Sequence, residues 1–278
     1  MLSGLSTPRR RPSLGALLIS CLSGALAPSC RIVPNQEAPA PRPDAESAPP
    51  TLWQDLRSVP ATVGSDLWSL VSDRDFYLVN GGAYLGTRLV DASGLEGNTE
   101  RYFESHQVFG SSASDALDTL GLGSTLIGLG TAWYTYATWQ EDEAMRQESR
   151  YLLRSLAATG LMTIAFKTAF PDERPDASNN QGYPSGHTSM AFTAATSLWQ
   201  GYGPKVGIPA TVLASAVAVQ RMDSGAHDLD DIIGGVTLGW FVAKSLHQGG
   251  DLKVLGGELS AEAFTPLGTP GLTIAWRW

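Results

Sequence analysis

The sequence predicts an all-α protein, a compact helical bundle closed by a C-terminal β-hairpin, and three observations carry that expectation. Apolar residues recur near helical spacing across Leu52 to Val71 (Trp53, Leu56, Val59, Val63, Leu67, Leu70) and again across Asp73 to Leu89, which predicts two amphipathic, core-facing helices. Further on, Ser155 to Phe166, Val206 to Val219 and Ile232 to Ala243 are apolar runs of helix length, too short to span a bilayer comfortably. Period-two alternation is confined to the last stretch. There Leu259, Ala261 and Ala263, then Leu272, Ile274, Trp276 and Trp278, flank Gly268-Thr269-Pro270-Gly271. Two strands cannot close a barrel, so the hairpin is expected to pack on the bundle.

Thr119 to Gln140 carries no charge, and at about 1.5 Å of rise per residue it is long enough to cross a membrane. Its glycines at 121, 123, 128 and 130 suit tight helix packing equally well, and a bundle outside the cytoplasm is the favoured reading. Between Ala92 and Gly110, Gly94, Gly97 and Asn98 predict a loop, with His106 on its surface.

A length of 278 residues fits one large domain with appendages. Residues 1–30 resemble an export signal: Arg9 to Arg11, an apolar run from Leu14 to Ala27, then small residues. Leu18-Ile19-Ser20-Cys21 resembles a lipobox, with Cys30 the weaker candidate, so an ordinary signal peptide and a lipid-anchored lipoprotein both fit. Residues 31–50 are rich in Pro and Ala and predict a tether. Residues 51–250 are left for the helical domain and 251–278 for the hairpin. Both cysteines lie in the N-terminal segment, which excludes a disulfide, a thiolate nucleophile or a Cys metal site from the domain. Loss of the three arginines at 9–11 with no acid takes the formal charge from -8 to -11, so nucleic acid is excluded as a partner.

Three clusters follow in order: Lys167 with Arg174-Pro175, Pro184-Ser185-Gly186-His187, and Arg221, His227 and Asp231. A transferring phosphoryl group spreads charge over its oxygens, so a catalyst needs fixed cations and N–H donors. Lys167, Arg174 and Arg221 supply the cations. Ser185, Gly186 and His187 open a helix, where free N–H groups, the Ser185 hydroxyl and the helix dipole favour an anion. On a helix, His227 and Asp231 share a face. A carboxylate on one ring nitrogen leaves the other's lone pair outward, as a nucleophile requires. His187 remains to protonate the leaving oxygen and then activate water. Pro171 and Pro175 interrupt any helix between Lys167 and Arg174, so that loop is free to fold its arginine over the anion.

Taken singly, these residues have plainer explanations. Lys167 would cap a helix end, Arg174 would be a solvated loop charge, Asp223 and Asp228 would be caps, and His247 a C-terminal cation. Asp228, Asp230 and Asp231 beside one histidine make a poor transition-metal set, so no metal is expected. The ordered spacing favours the catalytic reading.

At these residues KTAFPDERP, YPSGHTS and QRMDSGAHDLDD resemble the type 2 phosphatidic acid phosphatase superfamily, which includes bacterial class A acid phosphatases and vanadium haloperoxidases. Its pattern runs Lys, six residues, Arg-Pro; Pro-Ser-Gly-His; then Ser-Arg, five residues, His, three residues, Asp. The one departure is Gln220 in place of serine, and the match covers about 65 residues. The resemblance implies a helical core of the acid phosphatase and haloperoxidase type. It implies phosphate held by Lys167, Arg174, Ser185, Gly186 and Arg221, with His227 as nucleophile, His187 as acid and Asp231 orienting His227. It also implies no cofactor and inhibition by vanadate. A phosphate monoester or pyrophosphate of a lipid is the favoured substrate, with a soluble organic phosphate as the other possibility. A vanadium-dependent haloperoxidase or a non-catalytic anion-binding module are the alternatives. Only eight residues separate the first two clusters, against the longer insertions of the haloperoxidases.

Overall fold

The computed structural model describes residues 52–249, 258–264 and 271–277. The expected export signal, the two cysteines and the tether lie outside them. The described part is helical apart from one hairpin, as the sequence predicts.

The helices are α1 (Leu52–Ser72), α2 (Arg74–Ala92), α3 (Leu95–Ser105), α4 (Ser111–Gly121), α5 (Gly123–Trp139), α6 (Glu143–Ala169), α7 (Gly186–Tyr202), α8 (Pro204–Asp223) and α9 (Leu229–His247). Local capping sets several starts: Asp73 accepts from the Asp75 N–H, Asp142 from the Met145 N–H, and Ser185 from the Thr188 N–H. β1 (Glu258–Phe264) pairs antiparallel with β2 (Gly271–Arg277), Leu259 opposite Trp276 and Ala261 opposite Ile274. The expected turn at residues 268–270 and the packing of the hairpin lie outside the described residues.

α7 is the central helix, packed against α6, α8 and α9. Its contact with α9 is close because the facing surface of α9 lacks side chains at Gly235 and Gly239. A Cβ at Gly235 would sit 2.9 Å from the Ser185 carbonyl oxygen, and one at Gly239 2.2 Å from that of Ser189. Thr193 on α7 bonds Thr159 on α6, hydroxyl to hydroxyl at 2.8 Å, which satisfies both polar groups inside the contact. The largest apolar cluster lies to one side of α7 and holds Leu70, Phe76, Met162, Leu238, Phe241 and Leu246.

Three expectations are corrected. The segment 92–110 is not all loop, because α3 forms there once Gly94, at φ 75, turns the chain after α2. The start of α1 is not uniformly core-facing: Trp53 and Val59 are exposed, while Leu67 and Leu70 near its end pack inward. Ion pairs tie α1 to α6 instead, Asp55 with Arg150 at 3.0 Å and Asp66 with Arg154 at 2.8 Å. The charge-free stretch 119–140 is not one helix. Leu122 adopts extended ψ of 128°, and the chain breaks there into α4 and α5. Among the described residues no helix is long and apolar enough to cross a membrane.

Candidate active site

The three sequence clusters meet at the N-terminal ends of α7 and α9. After α6 the chain makes a folded-back loop in which Asp172 bridges Gln181, and the Gly182 N–H donates to the Asp172 carbonyl at 2.8 Å. Lys167, in the last turn of α6, clamps this loop by donating to the carbonyls of Gln181 and, at 3.0 Å, Gly182. Those bonds differ from the plainer expectation of a cap on its own helix. Burial pushes the Lys167 ammonium down to about 8, with Arg174 adding to the shift.

Ser185 ends the loop and is the N-cap of α7. Its N–H was expected to be free for an anion; it donates instead to the Asp231 carbonyl at 3.0 Å, joining α7 to α9. Its hydroxyl, fully buried, lies 3.0 Å from the Thr188 hydroxyl. Gly186 and His187 remain as first-turn residues whose N–H groups have no intrahelical acceptor.

His227 and Asp231 do pair, Nδ1 to Oδ2 at 2.7 Å, with both side chains buried. They do not share a helix face, however. α9 begins at Leu229 after the N-cap Asp228, so His227 lies before the helix, held by its N–H to the Arg221 carbonyl at 3.2 Å. Burial drives the His227 imidazole well below its ordinary range, and Lys167, Arg174 and Arg221 push the same way. The ring is therefore neutral, with Nδ1–H donated to Asp231 and the Nε2 lone pair available. Burial also pushes the Asp231 carboxyl up to about 7.

His187 is pushed down to about 4, by burial first and by Arg221 next; His227 and Arg174 act on it in the same direction. The cations and the two imidazoles thus lie within electrostatic reach of one another, as the spacing predicts. Arg174 Nε, Arg221 Nε and His187 Nε2 are buried polar atoms without a hydrogen-bond partner. Gln220, at the departure from the family pattern, is buried and donates to Ser114 Oγ at 3.0 Å, so it ties α8 to α4.

Sequence reasoning missed two further residues. Asp118 on α4 pairs with Arg221, and its Oδ1 lies 3.4 Å from His187 Nε2. The available signal was Gly121, one turn on, where a Cβ would fall 2.8 Å from the His187 ring. Arg88 on α2 pairs with buried Asp230 and lies 3.9 Å from Asp172. Asp223, expected as a cap, uses its carboxylate to accept the N–H groups of Val108 (2.7 Å) and Phe109 (3.0 Å). His106 is exposed and stacked on Tyr102, as expected, and His247 ends α9, but burial lowers its pKa and so disfavours the expected cation.

Two acidic groups come together behind the pair. Carboxylate oxygens of Glu96, Asp228 and Asp230 lie within 4.8 Å of one another, as do those of Asp172, Asp230 and Asp231. Arg88 supplies a cation to Asp230, which belongs to both groups, and lies 3.9 Å from Asp172. Burial, then Asp230 and Asp228, push Glu96 up to about 7, and burial likewise lifts Asp228 to about 7. A carboxyl raised above its unfolded value of about 4.3 binds its proton more tightly when folded. Its stabilising contribution is present at low pH and lost as pH rises through about 7. The melting temperature is expected to fall between about pH 4.5 and pH 7.5, and to fall less in Glu96→Gln. Parallel declines in the two proteins would refute repulsion within this cluster.

The site and bundle define a class: an all-helical protein that gathers cations and two imidazoles around the N-terminus of a buried helix. Residues 148–252, which hold all three clusters, match the family model described as the PAP2 superfamily. Over that segment the resemblance seen in the three motifs is borne out.

Two curated relatives align over part of this segment. Lipid A 1-phosphatase of Porphyromonas gingivalis is 33% identical over 92 residues, which are 32% of this chain and 21% of that protein. Lipid A 4'-phosphatase of Helicobacter pylori is 32% identical over 83 residues, 27% of this chain and 42% of that protein. The chain thus spans less than half the length of either. Among solved structures, that of Aquifex aeolicus LpxE aligns over 54% of this chain and 93% of its own, at 20% identity and a TM-score of 0.45.

Proposed function

We propose that this protein is a phosphatase that removes phosphate from a phosphorylated lipid through a phosphohistidine at His227, without a metal. The observation that carries the reading is the pair of buried Nε atoms on Arg174 and Arg221 without hydrogen-bond partners, together with a His187 Nε2 that faces Asp118 at 3.4 Å, near a neutral His227 that Asp231 orients. Buried polar groups ordinarily find partners, and a phosphate dianion would satisfy this set.

In this mechanism Nε2 of His227 attacks phosphorus while Nδ1–H stays on Asp231. The imidazolium that forms is stabilised by the adjacent carboxylate. The Gly186 and His187 N–H groups, Arg174 and Arg221 take the equatorial oxygens, and Lys167 contributes its charge while holding the loop. The incoming dianion displaces Asp118 from Arg221. It also raises the pKa of His187, which gives its proton to the leaving oxygen and then accepts one from the water that cleaves the phosphorus–nitrogen bond.

Similarity to two lipid A phosphatases supports a lipid substrate. The basic-then-apolar N-terminus supports export to the cell envelope, with or without a lipid anchor on Cys21 or Cys30.

Phosphate release from lipid phosphates, isoprenyl pyrophosphates and soluble phosphomonoesters tests the reading on purified protein. Release is expected to be greatest with a lipid, unchanged by a chelator and blocked by vanadate. Loss of activity on chelation would overturn the metal-free mechanism.

A further inference from the structure

We infer that the groove between α5 and α6 is the leaving-group subsite, and that it takes an apolar chain attached to the oxygen His187 protonates. This rests on the phosphatase reading above and goes beyond it by assigning the chain its place and naming the residues that select it.

In phosphoryl transfer the attacking and leaving atoms stand roughly in line with phosphorus. With His227 on one side, the departing alcohol must lie on the other, beyond His187. Two depressions open at the two imidazoles, and each touches only one of them. The depression at His227 is about 480 Å³ and acidic, with Glu100, Glu104, Asp176, Asp223 and Asp228 in its walls. The groove at His187 is about 630 Å³. It starts at Gly186 and His187 and runs along Ile127 of α5 and Ala157, Gly160 and Ile164 of α6, with His187 its one titratable side chain.

An acidic wall repels a lipid phosphate and admits water, whereas an apolar wall favours a hydrocarbon chain. The groove is open at its edge, where Ile127, Leu161 and Ile164 are 41%, 47% and 63% exposed. A chain longer than the groove therefore leaves it across an apolar surface.

Gly160 is the position that tests this. A Cβ there meets nothing within 4 Å, so a larger side chain would project into the groove without displacing a neighbour. Leucine is also the better helix former, so Gly160→Leu is not expected to unfold the protein. The assay compares glycerol phosphate with a series of alkyl phosphates, from butyl to dodecyl, each below its micelle-forming concentration.

In the wild type kcat/KM is expected to rise with chain length by about tenfold or more, since each methylene bound in an apolar pocket adds affinity. In Gly160→Leu the rise is expected to be lost, while glycerol phosphate is cleaved within about twofold of the wild-type rate. An unchanged chain dependence in the variant, or an equal loss on glycerol phosphate and dodecyl phosphate, would overturn the assignment. Wild-type cleavage of glycerol phosphate with no chain dependence would sink the groove alone. Cleavage of neither ester would sink the phosphatase reading with it.

Discussion

Replacing His227 with alanine is expected to lower phosphate release by about 10³-fold or more, equivalent to ~4 kcal/mol of transition-state stabilisation. The magnitude follows from the role: without Nε2 there is no covalent intermediate, and only anion binding and general-acid assistance remain. Alanine also leaves the Asp231 carboxyl without its partner in a buried setting. That group is already held up to about 7, so protonation offsets much of the penalty. His227→Asn keeps a donor for Asp231 and is expected to be equally inactive, which separates loss of the nucleophile from loss of the hydrogen bond. Circular dichroism checks that both variants are folded. Turnover of either at a rate near the wild type's would remove His227 from the chemistry.

The second large effect is on stability. Gly239→Ala is expected to cost roughly 2 kcal/mol net and to lower the melting temperature by about 4–8 °C. Alanine improves the helical propensity of α9 by about 1 kcal/mol, so the sign depends on the contact with α7. That contact decides it, because the new methyl would stand 2.2 Å from the Ser189 carbonyl oxygen and 3.0 Å from the Thr193 nitrogen. Both are backbone atoms, and rotation of a side chain cannot relieve the clash. α7 would have to move, and Gly186 and His187 would move with it, so activity is expected to fall as well. Calorimetry of Gly239→Ala beside Gly160→Ala is the check. At Gly160 the same methyl enters open space, and the propensity gain should stand. Equal stability of the two variants would mean that α7 and α9 are not in close contact.

The residues that are legible in the sequence are those whose spacing is short and whose chemistry is unusual. The pair His227 and Asp231 was expected from a four-residue separation, and it forms even though His227 precedes the helix. The loop carrying Arg174 was expected from two prolines, and it folds back as they require. Partners brought from distant elements were not legible. Arg88 reaches Asp230 from 142 residues away, and Asp118 reaches Arg221 from 103. Nothing local distinguishes Asp118 from Asp115 on the same helix. The Ser185 N–H was read as an anion donor because helix starts leave such groups free; the Asp231 carbonyl, placed by tertiary packing, takes it. The fold class followed from periodicity. The exposed residues at the start of α1 did not, because a stripe of apolar residues shows a face without showing what covers it.

The interruption at Leu122 has a bearing on how such a protein could change its preferences. Upstream of it, Asp118 and Gly121 border His187; downstream, Gly123, Ser124 and Ile127 line the apolar groove. One extended residue therefore separates the stretch beside the imidazole from the stretch that lines the proposed tail site. Substitutions accumulating after the break can retune which tail is accepted while the chemistry before it is left intact.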